Sequence, residues 1–173
     1  DGTIFSLGGG EYRLCSQHHQ LDWLLISSLG FDVTIEEETH SIAALAVQGP
    51  TSYSVLSAAG IQELNGLKPF GMINARVNGI ECMVSRTGFT GDLGYEIWTD
   101  PSNASAIWDA IFALKDQGLF DIRPTGLGAL EMVRIEAGFI LPGDDFNTAE
   151  TAIRADHDRS PYELGLGWLV WLV

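Results

Sequence analysis

The sequence predicts an α+β fold, in which a mainly antiparallel sheet packs against helices. Three observations support this fold class. Strand-length and helix-length apolar runs alternate along the chain. Asn78 and Gly79 lie between two of the strand-length runs, and this dipeptide is typical of a type I′ hairpin turn. An apolar stripe at helical spacing extends from 104 to 114.

The first forty residues are predicted to form a hairpin, a helix and an edge strand. The runs 3–7 and 11–16 flank three consecutive glycines, which is a hairpin pattern rather than a phosphate loop, because no helix follows them. Leucines at helical spacing begin at Leu21, and Gly30 supplies a stop. The segment 32–38 has the composition of an edge strand with an acidic face.

The middle of the chain predicts the main sheet. The apolar run 41–47 is a strand, and Gly49 and Pro50 separate it from a helix over 51–59. The segments 72–77 and 80–85 form the hairpin around Asn78 and Gly79.

Two further helices are predicted in the second half. Asp100 is a suitable N-cap, with Pro101 at the first helical position, and Gly118 ends this helix. A second helix is expected over 126–137. The segment 147–160 has no clear period, and 164–170 has strand character.

Composition limits the classes of partner. The 173-residue chain has 23 acidic and 9 basic residues and a net charge of −14, which argues against nucleic acid or an anionic membrane as the main partner. No apolar run reaches the roughly 18 residues that span a bilayer. Cys15 and Cys82 lie far apart and outside any CxxC pattern, which fits a reducing cytoplasm. We therefore expect a cytoplasmic protein.

Common catalytic and metal-binding patterns are missing from the sequence. The four histidines do not pair with one another or with cysteine at metal-ligand spacing, so no metal site is predicted. There is no GxSxG motif, and the glycines at 126–128 lack the third glycine of a dinucleotide-binding loop.

The segment 84–98, VSRTGFTGDLGYEIW, is the strongest candidate for a binding site. Its three glycines permit close backbone approach, and Phe89 and Glu96 are a candidate ring-stacking residue and hydrogen-bond acceptor. A carboxylate can accept parallel hydrogen bonds from an amide N–H and an adjacent amino group, as on a pterin or guanine edge. The alternative is a plain glycine-rich turn with Glu96 on the surface.

Four segments in order resemble one family. They are ALAVQGPTSYSVL at 44–56, VSRTGFTGDLGYEI at 84–97, TGLGALEMVRIEAGFILPGDDF at 125–146 and SPYELGLGWLV at 160–170. Together they resemble the aminomethyltransferase, or T-protein, of the glycine cleavage system and its folate-binding relatives. The match corresponds to the central portion of that longer protein. It implies subdomains at 1–40 and 41–146, with 147–173 leading toward a C-terminal barrel that is absent.

The resemblance implies tetrahydrofolate as the cofactor and assigns site residues. The family's carboxylate that binds the pterin amide edge matches Glu96. The implied cofactor-binding residues are Glu96, Phe89, Phe139, Gln17 and Arg86. The family's catalytic aspartate matches Asp1, whose charge would stabilise a cationic tetrahydrofolate N5 as the one-carbon unit is transferred.

One departure from the family leaves the donor open. T-proteins carry an arginine in a GLGARD segment, where this chain has Leu130 in GLGALE. The resemblance therefore implies an aminomethyl or methyl transferase, with a small-molecule one-carbon donor and a lipoyl carrier protein as candidate partners. The alternatives are a tetrahydrofolate-dependent demethylase of an S-, O- or N-methyl donor, and a non-catalytic folate-binding module or domain of a larger oxidoreductase. The arginines Arg86, Arg123 and Arg134 are candidates for holding the anionic folate tail.

Overall fold

The N-terminal part is a two-stranded hairpin followed by a short helix. A computed structural model describes residues 2–149 and 151–170. Strand β1 (Thr3–Gly8) pairs antiparallel with β2 (Glu11–Cys15), and helix α1 is Leu21–Ser27. These elements confirm the predicted hairpin and helix.

The main sheet has four antiparallel strands. They are β3 (Ala43–Gln48), β4 (Met72–Val77), β5 (Ile80–Ser85) and β6 (Gly94–Thr99), in the spatial order β3-β6-β5-β4. Asn78 and Gly79 have φ values of 49° and 83°, so the turn between β4 and β5 has the two positive φ angles of type I′.

Three further helices lie in the part of the chain that the structure describes. Helix α2 is Ser52–Ala58, α3 is Ala104–Asp116 and α4 is Leu127–Glu136. A 3₁₀ turn, Pro101–Asn103, precedes α3, and the Asp100 side chain accepts a hydrogen bond from the Ser102 N–H at 2.8 Å. The predicted N-cap is therefore correct, although it caps the 3₁₀ turn that leads into the helix.

The core lies between one face of the main sheet and helices α2 and α3. Strand side chains on this face pack against apolar residues of both helices, and the fully buried members include Leu56, Val77, Val84, Ile97 and Ile107. Because side chains alternate across a strand, the other face of the sheet carries a separate set of residues. The predicted α+β class is confirmed.

Two predicted strands are wrong. The segment 32–38 is not a strand, and its acidic side chains instead contact the hairpin region: Glu38 accepts from Arg13 at 3.1 Å and Glu37 contacts His19 at 3.2 Å. The segment 164–170 contains turns and a 3₁₀ turn, Gly167–Leu169. A strand requires a neighbouring strand to satisfy its backbone groups, and composition alone does not supply one. The division into subdomains 1–40 and 41–146, and the role of 147–173, stay predictions.

Candidate functional site

Glu96 lies on the sheet face opposite the helices. On strand β6, it is paired with Ala46 of β3 on one side and with Ser85 of β5 on the other. Its neighbours Tyr95 and Ile97 are buried in the core, so the alternation of the strand directs Glu96 to the other face. There the carboxylate is partly buried.

The N-terminal hairpin covers part of this face. Phe5 of β1 is 3% exposed and contacts the Trp98 ring edge-to-face, with centroids 5.5 Å apart. The Cys15 thiol of β2 also lies within the electrostatic influence of Glu96. Burial raises the pKa of Cys15, Arg13 lowers that pKa, and Glu96 raises it.

Buried hydroxyl groups hold the Glu96 carboxylate. The Thr87 hydroxyl donates to Glu96 Oε2, and the Ser85 and Thr87 hydroxyl oxygens are 2.6 Å apart. Trp98 Nε1 donates to the Ser85 hydroxyl at 2.9 Å. Glu96 is therefore not a plain surface charge. Ser85 and Thr87 are site residues that no sequence pattern predicted, although their spacing of two places them on one side of the strand end.

Gln48 fixes the segment 86–93, which we call the glycine loop. The Gln48 side-chain NH₂ donates to the carbonyl oxygens of Thr87 and Tyr95 at 3.2 and 3.1 Å. The Gln48 side-chain oxygen accepts from the Thr90 hydroxyl at 3.2 Å. A Cβ at Gly88 or Gly94 would lie 2.0 or 1.9 Å from Gln48 Oε1. These glycines therefore make room for a protein side chain.

The glycine loop packs against the C-terminal end of α4. Phe89 and Phe139 stack, with centroids 5.2 Å apart and ring planes at 16°. A Cβ at Gly91 would lie 2.4 Å from the Cβ of Ala137, so the backbones approach closely here. The structure thus brings together the two aromatic residues that the sequence assigned to one ligand. A stacked pair offers a flat apolar surface.

Arg134 is buried, and its hydrogen bonds go to groups of the protein itself. It is 3% exposed, and it donates to Glu131 at 2.7 Å, to the Phe139 carbonyl at 3.0 Å and to Asp145. The Leu141 N–H donates to Asp145 at 2.8 Å, and this bond is the largest cause of the lowered pKa of Asp145, with Arg134 contributing. Arg134 therefore holds the backbone that carries Phe139.

Arg86, another predicted site residue, is directed to the opposite side of the sheet from Glu96. The Arg86 guanidinium donates to the Leu67 carbonyl at 2.8 Å, and its charge acts on Tyr95, whose pKa burial raises and Arg86 lowers. Since Tyr95 belongs to the helix side of the sheet, Arg86 is directed to that side. Gln17 is exposed, two residues after β2 ends. Asp1 lies outside the described residues.

Leu130 lines a cavity of about 410 Å³ at the free edge of β3. Thr90 of the glycine loop, Gln48 and Arg123 also line it, and Arg123 is paired with Asp121 at 2.8 Å. A second, larger depression of about 730 Å³ lies by the β4–β5 hairpin, away from Glu96.

Within residues 2–149 and 151–170, no three His, Cys, Asp or Glu side chains cluster as a metal site would require. In the same range, none of the helices has the length and apolar character to cross a bilayer.

These features define an α+β domain with a hydroxyl-held carboxylate on one sheet face and an aromatic pair on the adjoining loop. The chain matches the family described as the GCVT N-terminal domain over residues 1–172. It is 38% identical to an aminomethyltransferase of Clostridium botulinum (strain Okra / Type B1), over 99% of this chain and 45% of that protein. A probable aminomethyltransferase of Haloarcula marismortui is 37% identical, over 83% of this chain and 35% of the relative.

A third relative carries a different name. The trimethylamine-oxide aldolase of Ruegeria pomeroyi is 36% identical over 98% of this chain and 22% of its own length. The chain thus belongs to the GCVT N-terminal domain family, which confirms the resemblance seen in the sequence. It spans less than half the length of these relatives.

Proposed function

We propose that this chain is the folate-binding part of a tetrahydrofolate-dependent one-carbon transferase that moves an aminomethyl or methyl group. The observation that carries this proposal is the Glu96 carboxylate, held by Thr87 on a sheet face beside the glycine loop. Family membership and relatives named aminomethyltransferase support the class of reaction. The free thiols of Cys15 and Cys82 are consistent with a cytoplasmic location, which is part of the proposal.

Each site residue has a role in this proposal. Glu96 accepts hydrogen bonds from the amide N–H and amino group of the pterin edge. Phe89 and Phe139 contact the pterin or the adjoining ring of the ligand. When bound, tetrahydrofolate supplies N5 as the atom that receives the one-carbon unit. Asp1 is the candidate carboxylate that stabilises positive charge near that atom.

Ligand titration of the full-length protein tests the Glu96 role. Folinic acid binding is measured by calorimetry for the wild type, Glu96→Gln and Glu81→Gln. Glu81 is a matched control because it is an exposed carboxylate on β5 that pairs with Arg76. Loss of hydrogen bonds to a charged acceptor weakens binding of Glu96→Gln by about 10- to 100-fold, while Glu81→Gln matches the wild type. Equal affinity of all three proteins would contradict the proposal.

A second candidate function is demethylation of a small methylated donor. Leu130 lines the apolar cavity beside the glycine loop, in the position where the resembling T-proteins have arginine. An apolar side chain cannot hold the anionic or polar partner that an arginine holds, which argues against a lipoyl carrier protein and in favour of a small methylated donor. The relative named trimethylamine-oxide aldolase supports a small-molecule donor.

Turnover assays separate these alternatives. Tetrahydrofolate-dependent loss of a methyl group from an amine, sulfonium or aryl ether supports demethylation. Turnover of an aminomethyl-lipoyl carrier supports the aminomethyltransferase. Folate binding with no turnover of either class supports a non-catalytic module or a domain of a larger oxidoreductase.

A further inference from the structure

A chain of hydrogen bonds leads from Trp98 to Glu96. The indole Nε1 donates to the Ser85 hydroxyl at 2.9 Å, the Ser85 and Thr87 oxygens are 2.6 Å apart, and Thr87 donates to Glu96 Oε2. Ser85 is fully buried and Thr87 is 9% exposed. The two hydroxyl groups in this series of hydrogen bonds are therefore shielded from water. Shielding strengthens the hydrogen bonds and makes the loss of one costly.

The direction of this chain is set by its two ends. The indole N–H is a donor only, and a carboxylate is an acceptor only. Because Thr87 uses its one proton on Glu96, the Ser85 proton must be donated to Thr87. Reversal would leave the buried Ser85 proton without the Thr87 acceptor, at the cost of an unsatisfied group.

The direction determines what Glu96 presents to a ligand. Thr87 occupies one acceptor position of Oε2, so Oε2 retains a second lone pair and Oε1 retains both of its own. The Thr87 hydroxyl constrains the carboxylate through one hydrogen bond, and none of the ion pairs of the described residues includes Glu96. A carboxylate held in this way is an oriented acceptor for a ligand edge with two adjacent N–H donors.

We propose that Thr87 and Ser85 are positioning residues that orient Glu96 toward the donor edge of the bound pterin. This inference rests on the proposed function. Thr87 acts directly on the carboxylate, and Ser85 fixes the direction of the Thr87 hydroxyl. Neither residue needs to contact the ligand, so their effect on binding must pass through Glu96.

A double-mutant cycle in the full-length protein tests this dependence. Folinic acid affinity is measured by calorimetry for the wild type, Thr87→Val, Glu96→Ala and the double variant, with Thr87→Ser as the conservative variant. Thermal unfolding of each protein sets a temperature at which all are folded. We expect Thr87→Val to weaken binding about tenfold when Glu96 is present and less than about twofold in Glu96→Ala. Thr87→Ser retains the hydroxyl and binds within about twofold of the wild type.

Two results would overturn the positioning role alone. One is wild-type affinity in Thr87→Val. The other is an equal loss in both backgrounds, which would mean that Thr87 acts on the loop rather than on the carboxylate. If the wild type fails to bind folinic acid, the proposed function falls together with this inference, so the two failures are distinguishable.

Discussion

At the scale of single residues, Glu96 differs from other carboxylates of this acidic chain in its partners. Glu81, Asp121 and Asp156 each pair with an arginine on the surface. Glu96 is instead held by a threonine hydroxyl. A hydroxyl orients a carboxylate without neutralising it, so its charge remains available to a ligand and to nearby groups.

The pKa of the Cys15 thiol depends on the charge of Glu96. Burial is the largest cause of the raised pKa of the Cys15 thiol. Arg13 lowers this pKa, and Glu96 raises it. Glu96→Gln should therefore lower the pKa of Cys15, increase the thiolate fraction at pH 8 and speed its alkylation by iodoacetamide about twofold. Peptide mass spectrometry resolves Cys15 from the buried Cys82, which serves as an internal control. An unchanged Cys15 rate would show that the two groups do not interact.

Sequence patterns found some of these residues and missed others. Phe89 and Glu96 stand in one glycine-rich motif, so a local reading could single them out. Gln48 contacts Thr87 and Tyr95, which lie 39 and 47 residues away along the chain. Its role depends on the pairing of β3 with β6, which spacing within one segment cannot reveal.

At the scale of elements, the glycine loop and the end of α4 form one packed unit. Phe89 stacks on Phe139, Gly91 contacts Ala137, and Arg134 holds the Phe139 carbonyl. The position of the aromatic pair therefore depends on α4 as well as on the loop. This contact links the two aromatic residues to the strand that carries Glu96.

A glycine pair tests this contact. Gly91 and Gly118 both have a φ of 74°, but a Cβ at Gly91 would meet Ala137 at 2.4 Å while one at Gly118 has nothing within 4 Å. Both alanine variants incur backbone strain, and Gly91→Ala also forces the loop and α4 apart. We expect Gly91→Ala to lose about 1–3 kcal/mol more unfolding free energy than Gly118→Ala in urea denaturation. Equal losses would show that the loop and α4 do not pack closely.

Elements were predictable where local chemistry determines them. The Asn78–Gly79 turn requires two positive φ angles, and these residue types tolerate them. Asp100 and Pro101 mark the start of the 3₁₀ turn before α3 in the same way. The wrong strands at 32–38 and 164–170 have suitable composition, but strand formation depends on a partner that the segment itself does not specify.

At the scale of the whole molecule, an excess of carboxylates makes the arginines structurally important. The net charge is −14, and the buried Arg134 pairs with the more exposed Glu131 and Asp145 at the end of α4. The Leu141 N–H and Arg134 hold the pKa of Asp145 below its usual range. A carboxyl group with a lowered folded-state pKa stabilises the fold above its unfolded pKa, and this contribution is lost as pH falls through the folded value.

The acid stability of the fold should therefore depend on Asp145. Asp145→Asn is expected to lower the unfolding free energy at pH 7 and to flatten its decline below about pH 4, measured by urea denaturation across pH. Asp144→Asn changes the neighbouring exposed residue and is expected to follow the wild-type curve. An Asp145→Asn curve parallel to that of the wild type would contradict the linkage.

The proposed function depends above all on hydrogen bonds between Glu96 and the donor edge of a bound folate. A crystal structure of the full-length protein with folinic acid would show whether these hydrogen bonds form. We expect both a pterin N–H and the adjacent amino group within hydrogen-bond distance of Glu96, with Thr87 still donating to Oε2. A pterin bound elsewhere, with Glu96 facing solvent, would contradict the proposed function.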